Sequence, residues 1–154
     1  MDNQKADLIY FALVIFIVGA LPFGISTYDK YIWNQRIPEN AKVFSLTGHT
    51  QKGWVSGSID AAEVLTDSLI PKESSPPIIK VNKGDRVVIK LTSSDVVHGF
   101  SLKDFGVFIN DGIHPGKPQT VSFIADKEGI FTFACNAICG NHHENMSGTI
   151  IVNA

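Results

Sequence analysis

A short stretch near the carboxyl end of the chain, CNAICGNHHENM at residues 135–146, concentrates side chains that bind soft metals. It holds both cysteines of the chain, two of its five histidines and one of its two methionines. Thiolate, imidazole and thioether ligands together favour copper over hard cations such as magnesium or calcium. Zinc also accepts cysteine and histidine, but a weak, long bond to a methionine sulfur is typical of electron-transfer copper. The stretch therefore predicts a copper site.

Cys135 and Cys139 have a simpler alternative interpretation, a disulfide, because two cysteines outside the cytoplasm most often pair with each other. A disulfide gives no reason for His143 and Met146 to follow Cys139 in the spacing C-x3-H-x2-M. It also leaves unexplained His98, which follows a strand-like apolar run upstream. The set His98, Cys139, His143 and Met146 resembles a blue-copper site on a cupredoxin sandwich.

The second cysteine in this loop exceeds what a mononuclear blue-copper site needs. Two thiolates can each bridge a pair of metal ions, so that Cys135 and Cys139 would close a ring of two coppers and two sulfurs. Each copper would then take one imidazole, from His98 or His143, and one weak axial ligand. Met146 would supply one axial ligand, and a backbone carbonyl inside the loop would supply the other. The residues thus predict a binuclear copper centre.

This pattern, C-x3-C-x3-H-x2-M preceded by VVHGF, resembles the CuA centre in subunit II of the haem–copper oxidases, over roughly Ile78 to Val152. A single apolar stretch before a small domain is most similar to the B-type branch. The resemblance implies two copper ions in a cupredoxin domain on the outer face of a cell membrane. It also implies electron transfer from cytochrome c or a similar soluble carrier to haem in subunit I, with small subunits as further partners.

Three positions acquire expected roles from the resemblance. The backbone carbonyl of Ala137 becomes the second axial ligand; many relatives carry a magnesium-binding carboxylate there, so we predict no magnesium through this residue. Trp54 is a candidate for the place where electrons enter, the alternative being a half-buried packing tryptophan. Asp7 is a candidate for the place where protons enter near the cytoplasmic face, the alternative being a charged residue that ends a hydrophobic run.

Four other residues invite functional interpretations that we disfavour. His142 adjoins His143, but the spacing from Cys139 selects His143 as the ligand and leaves His142 at the rim. We interpret His49 and His114 as surface or turn residues. Phe133, which shares one face of a predicted strand with Phe131 and Cys135, is predicted to lie in the core rather than to relay electrons.

The amino-terminal part of the chain predicts a membrane anchor. No charged residue occurs from Leu8 to Ile25, and the apolar run is long enough to cross a hydrocarbon core of about 30 Å as a helix. A cleaved signal peptide is the alternative, but the run is long and no A-x-A-like site follows it. We expect a cytoplasmic segment at 1–7, a single transmembrane helix at 8–28 and a connector at 29–40. The balance of lysine and arginine does not settle the orientation, which therefore rests on the resemblance.

The remaining residues, 41–154, predict an all-β domain that positions the ligand loop. Short apolar runs alternate with turn signals, which is typical of a sandwich or barrel. The turn at Lys83–Gly84–Asp85 separates two predicted strands. The resemblance makes this a cupredoxin-like Greek-key fold. One stretch, 55–77, departs from the strand rhythm and predicts a helix or loop insertion.

The composition excludes several classes of function. A formal net charge of −2 with no basic cluster argues against nucleic-acid binding, and no phosphate-binding glycine loop or H-E-x-x-H pattern occurs. We expect no catalytic residue in this chain, because a saturated electron-transfer site leaves no open position for a substrate. Three alternatives stay open: the CuA subunit of a nitric oxide reductase, a membrane-tethered mononuclear blue-copper protein and a copper-delivery protein. The CuA domain of a nitrous oxide reductase is disfavoured, because the large catalytic chain is missing.

Overall fold

An amino-terminal helix and a β domain make up the computed structural model, which describes residues 3–35, 37–59, 75–137 and 146–154. These residues fall into two compact units, Met1–Glu39 and Asn40–Ala154. Each unit is described by itself below. Of the insertion predicted at 55–77, residues 60–74 are outside the described part of the chain, and Val55 and Ser56 belong to a strand.

The first unit is helical from Asn3 to Gln35. It comprises α1 (Asn3–Ile15), a π-helical turn (Phe16–Ala20) and α2 (Leu21–Gln35). The π-helical turn directly precedes the turn that contains Pro22, whose ring would clash with the carbonyl four residues earlier in a regular helix. Gln4–Tyr28 is apolar and long enough to cross a membrane, with a mean hydropathy of 2.6.

The helix extends beyond the segment that was predicted to span the membrane. Residues 29–35, which we expected in a connector, continue α2. No glycine or proline occurs between Tyr28 and Gln35, so nothing in this part of the sequence ends the helix before Pro38.

The second unit contains nine described strands in two sheets. One sheet has the order β2-β1-β4-β7 and the other the order β3-β9-β8-β5-β6. The strands are β1 (Lys42–His49), β2 (Gly53–Ser56), β3 (Ile78–Asn82), β4 (Arg86–Ser93), β5 (His98–Leu102), β6 (Val107–Ile113), β7 (Gln119–Ile124), β8 (Gly129–Ala134) and β9 (Ser147–Asn153). The prediction of an all-β sandwich is confirmed.

Alternating apolar residues on the strands form the core between the sheets. Val87, Ile89 and Leu91 of β4 are buried, as are Ile150 and Val152 of β9. This period of two is what places one face of each strand against the opposite sheet. The apolar core holds the strand ends, and hence the predicted ligands, in fixed positions.

Strand β2 is the element that the sequence did not reveal. It pairs antiparallel with β1, from Leu46 opposite Ser56 to His49 opposite Gly53. Gly53 has a φ of +71°, in the left-handed region that favours glycine, and it ends the connecting turn. With four residues, β2 is too short to show a clear alternation of apolar and polar side chains.

A close approach of β8 and β9 generates a stability prediction. Phe133 lies opposite Gly148, and a Cβ at position 148 would come within 2.2 Å of the Phe133 ring. We expect Gly148→Ala to lower the free energy of unfolding by about 1–3 kcal/mol through overpacking. Addition of Phe133→Leu should relieve part of that loss, so that the double variant loses less than the sum of the single ones. Chemical denaturation measures all three.

The half-buried Thr149 offers the control for this cycle. Thr149→Ala adds no atom against Phe133 and should show no coupling to Phe133→Leu. Additive effects for Gly148→Ala and Phe133→Leu would contradict the proposed contact.

Candidate metal centre

Three of the predicted ligands lie where three neighbouring strands of one sheet begin or end. His98 is the first residue of β5, Cys135 directly follows β8, and Met146 directly precedes β9. In the five-stranded sheet, β8 lies between β5 and β9 and runs antiparallel to both. The carboxyl end of β8 therefore meets the amino ends of the other two strands.

Hydrogen bonds hold these strand ends together. The backbone N–H of Cys135 donates to the carbonyl of Met146 at 2.9 Å, which continues the pairing of β8 with β9. The backbone N–H of Gly99 donates to Cys135 Sγ at 3.2 Å, and Cys135 Sγ lies 3.3 Å from the carbonyl oxygen of Ala137. His98, Cys135 and Met146 are all buried.

The other predicted ligands, Cys139 and His143, lie in residues 138–145, outside the described part of the chain. The same is true of His142. Within the described residues, no three side chains of histidine, cysteine, aspartate or glutamate form a group that could hold a metal. The roles of Cys139 and His143 stay predictions from the sequence.

The two ring nitrogens of His98 differ in their contacts with the described residues. Its Nε2 lies 2.7 Å from Asp95 Oδ1. Its Nδ1 is buried and has no hydrogen-bond partner of regular geometry in the part of the chain that the structure describes. Since an ionised carboxylate only accepts hydrogen bonds, Nε2 carries a hydrogen, and in the neutral ring Nδ1 presents the lone pair that a metal requires. Burial lowers the pKa of His98, but Cys135 and Asp95 outweigh this effect and raise the pKa above its ordinary value.

Asp95 is ionised because several donors converge on it. Burial would raise its pKa, but hydrogen bonds from the side chain and backbone of Thr50, from His98 and from the backbone of Val96 lower the pKa to about 2. A carboxylate that accepts several hydrogen bonds favours its charged form. The carboxylate is therefore a fixed acceptor for His98 Nε2.

The β1–β2 hairpin of the other sheet covers the His98 ring. A Cβ at Gly48 would come within 2.7 Å of His98 Cδ2, so only glycine leaves room for the ring there. The Trp54 ring lies 6.2 Å from the His98 ring, centroid to centroid. His98 is thus enclosed between the two sheets.

The donors that the structure describes fit a soft metal ion. They are Nδ1 of His98, the Cys135 sulfur, the Ala137 carbonyl and Met146, whose sulfur is a weak ligand. A buried ring nitrogen without a hydrogen bond is costly unless another group uses its lone pair. A bound metal would remove this cost.

Two further predictions concern residues away from these donors. Trp54 is 1% exposed and lies in the core, which favours its alternative interpretation as a packing residue; its role in electron entry stays a prediction. Asp7 lies in α1, and its role in proton uptake stays a prediction. His114 is exposed, as expected, and Phe133 lies in the core.

Sequence reasoning missed three residues near the predicted ligand His98: Asp95 and Gly48 contact its ring, and Thr50 contacts Asp95. Asp95 precedes His98 by three positions, and a carboxylate near a ligand histidine is a common partner of its second nitrogen. That spacing could have identified Asp95. Thr50 and Gly48 are distant in sequence from His98, and only the packing of the two sheets brings them near it.

The fold and the site define a class: a cupredoxin-like β-sandwich domain with soft-metal donors at one end. Residues 57–154 match the family of the cytochrome c oxidase subunit II periplasmic domain. The chain therefore belongs to the cytochrome c oxidase subunit II family, whose members are subunits of an oxidoreductase complex.

Individual relatives include subunit 2 proteins and, at lower identity, a nitrous-oxide reductase. The chain is 42% identical over 77 residues to a cytochrome c oxidase subunit 2 of Thermus thermophilus, a match that covers 50% of this chain and 56% of the relative. It is 28% identical over 142 residues to a nitrous-oxide reductase of Ralstonia nicotianae, covering 86% of this chain and 22% of that one. The chain spans about half the length of the subunit 2 relatives it matches.

A solved structure supports the fold over nearly the whole chain. A chain of a haem–copper terminal oxidase dimer, determined by cryo-EM, is similar with a TM-score of 0.53 and 21% identity. The match covers 98% of this chain and 99% of that one. The apolar helix followed by a subunit II domain fits a single-pass membrane protein.

The contact between Gly48 and His98 generates a second prediction. Alanine would ordinarily stabilise a strand position relative to glycine. Because of the overlap with the His98 ring, we expect Gly48→Ala to lower the free energy of unfolding instead, by about 1–3 kcal/mol. The histidine ring resonances in nuclear magnetic resonance spectra should shift as well. Ser45→Ala, at an exposed position of the same strand, is the control; a Gly48→Ala variant that is more stable and has unchanged His98 resonances would refute the contact.

Proposed function

We propose that this chain is the electron-transfer subunit of a terminal respiratory oxidase. It would accept electrons from cytochrome c or a similar soluble carrier and pass them to haem in subunit I. The observation that carries the proposal is the burial of His98 at the same end of the sheet as Cys135 and Met146, with an Nδ1 that has no regular hydrogen-bond partner among the described residues, in a chain of the subunit II family.

The proposed centre is the binuclear copper site CuA. Its ligands would be His98, Cys135, the Ala137 carbonyl, Cys139, His143 and Met146. When bound, the two copper ions supply reversible one-electron transfer. Support comes from the number of soft donors: the loop contains two thiols, whereas a mononuclear blue-copper site uses one.

The protein would hold the ligands in fixed positions and shield them from water. His98, Cys135 and Met146 are no more than 8% exposed, so bulk water does not reach them freely. Gly99 N–H donates to the Cys135 sulfur, and Asp95 accepts from His98. Ligands fixed in this way move little between redox states, which favours fast electron transfer.

The amino-terminal helix would anchor the centre at a membrane surface. We propose that Gln4–Tyr28 spans the bilayer, with the amino terminus in the cytoplasm and residues 41–154 on the outer face. The family that residues 57–154 match is described as a periplasmic domain, which supports this orientation. A position on the outer face would let a soluble carrier reach the domain while subunit I lies in the membrane.

Variants of two ligands test the proposal. Cys135→Ser removes one of the two thiolates, so we expect the spectrum of an electron shared by two coppers to disappear. Oxygen uptake driven by reduced cytochrome c should fall by at least about tenfold in membranes that contain this variant. Met146→Leu removes only a weak axial ligand and should shift the reduction potential while both coppers stay bound.

The paired variants separate a ligand defect from a folding defect, since both replace a buried sulfur next to a strand end. A Cys135→Ser variant that keeps the full two-copper spectrum would contradict the bridging role. Membranes that reduce nitric oxide and leave oxygen unconsumed would place the same centre in a nitric oxide reductase instead.

A further inference from the structure

The turn that joins β1 to β2 reaches the metal centre through Thr50. This residue is half-buried and lies in the segment 50–52 between the two strands. Its backbone N–H donates to Asp95 Oδ2 at 2.6 Å, and its hydroxyl Oγ1 donates to the same oxygen. One residue thus supplies two donors to one carboxylate oxygen.

The two oxygens of Asp95 have separate partners. Oδ2 accepts from Thr50, whereas Oδ1 accepts from the backbone N–H of Val96 at 2.7 Å and lies 2.7 Å from His98 Nε2. With Oδ2 held by the hairpin turn, the carboxylate cannot rotate without breaking these bonds. Its Oδ1 therefore stays directed at the His98 ring.

The same hairpin also forms hydrogen bonds with Ser94, the residue before Asp95. The carbonyl of Gly48 accepts from the backbone N–H of Ser94 at 3.1 Å and from its hydroxyl at 3.0 Å. Gly48 also contacts the His98 ring. These contacts between Gly48 and Ser94 therefore fix the position of Thr50 relative to Asp95.

We propose that Thr50 is a positioning residue of the metal centre. By holding Asp95, it fixes the ring orientation and the tautomer of His98, so that Nδ1 is the nitrogen that faces the metal. The proposal rests on the proposed function in so far as the metal is copper. The β1–β2 turn would thus contribute to a site whose proposed ligands all come from the other sheet or its loops.

Thr50→Val is the discriminating variant, because it keeps the size and branching of the side chain and removes the hydroxyl donor. Loss of a group that orients a metal-binding histidine typically weakens metal binding about 10–100-fold. Since the backbone N–H of residue 50 is retained, we expect the lower end, about tenfold faster loss of copper to a chelator. The nitrogen hyperfine coupling of one histidine in pulsed electron paramagnetic resonance should change, and the reduction potential should shift.

Two controls accompany this variant in the full-length, detergent-solubilised chain. Thr50→Ser retains the hydroxyl and should restore copper retention and the hyperfine coupling. Thr120→Val makes the same chemical change at an exposed position of β7 and should change neither. Wild-type copper retention and hyperfine coupling in Thr50→Val, or equal defects in Thr50→Val and Thr50→Ser, would overturn the proposal.

A metal-free readout separates this proposal from the proposed function. The ¹⁵N chemical shifts of the His98 ring report which nitrogen carries the hydrogen. In the metal-free chain we expect the Nε2–H form in wild type and Thr50→Ser, and a mixture of forms in Thr50→Val. If wild type binds no copper yet shows this difference, the copper function fails and the role of Thr50 stands; identical ring shifts in all variants would refute the role of Thr50 whatever the copper content.

Discussion

The pairing of β8 with β9 is the constraint on which the site depends. The two strands stay in register from Gly129 opposite Val152 to Ala134 opposite Ser147, and the backbone bond from Cys135 to Met146 extends the pairing by one residue. A slip of one residue would move every side chain of a strand to the other face of the sheet. The register therefore decides whether Cys135 is buried or exposed, and it is pinned by the close fit of Phe133 against Gly148.

A second constraint is that both sheets hold His98 in place. Its backbone begins β5 of the five-stranded sheet, while Gly48 and Trp54 of the four-stranded sheet cover its ring. Asp95, in the connection between β4 and β5, accepts a hydrogen bond from Nε2 of the ring. A histidine held by packing and by a hydrogen bond changes position little, which is the property that an electron-transfer centre requires of its protein. The stability of the sandwich and the proposed function of the site thus depend on the same contacts.

The sequence alone predicted the parts of the molecule that depend on local pattern. Strands with clear alternation could be predicted, such as β4, which has Val87 and Ile89 buried and begins directly after the predicted turn at Lys83–Gly84–Asp85. The residue types in the loop likewise predicted a soft metal. The short strand β2 was missed because four residues carry too little pattern. The partners of His98 were missed for a different reason: Gly48 and Thr50 are about fifty residues away in the chain, and no periodicity encodes which residues meet across two sheets.

The central claim is that one chain holds two copper ions that share an electron. The most direct test is to load the purified full-length chain with copper and to measure the copper content per chain together with the electron paramagnetic resonance spectrum. We expect two coppers per chain and hyperfine splitting from two equivalent copper nuclei. One copper per chain, with splitting from a single nucleus, would contradict it and would make this protein a mononuclear copper carrier.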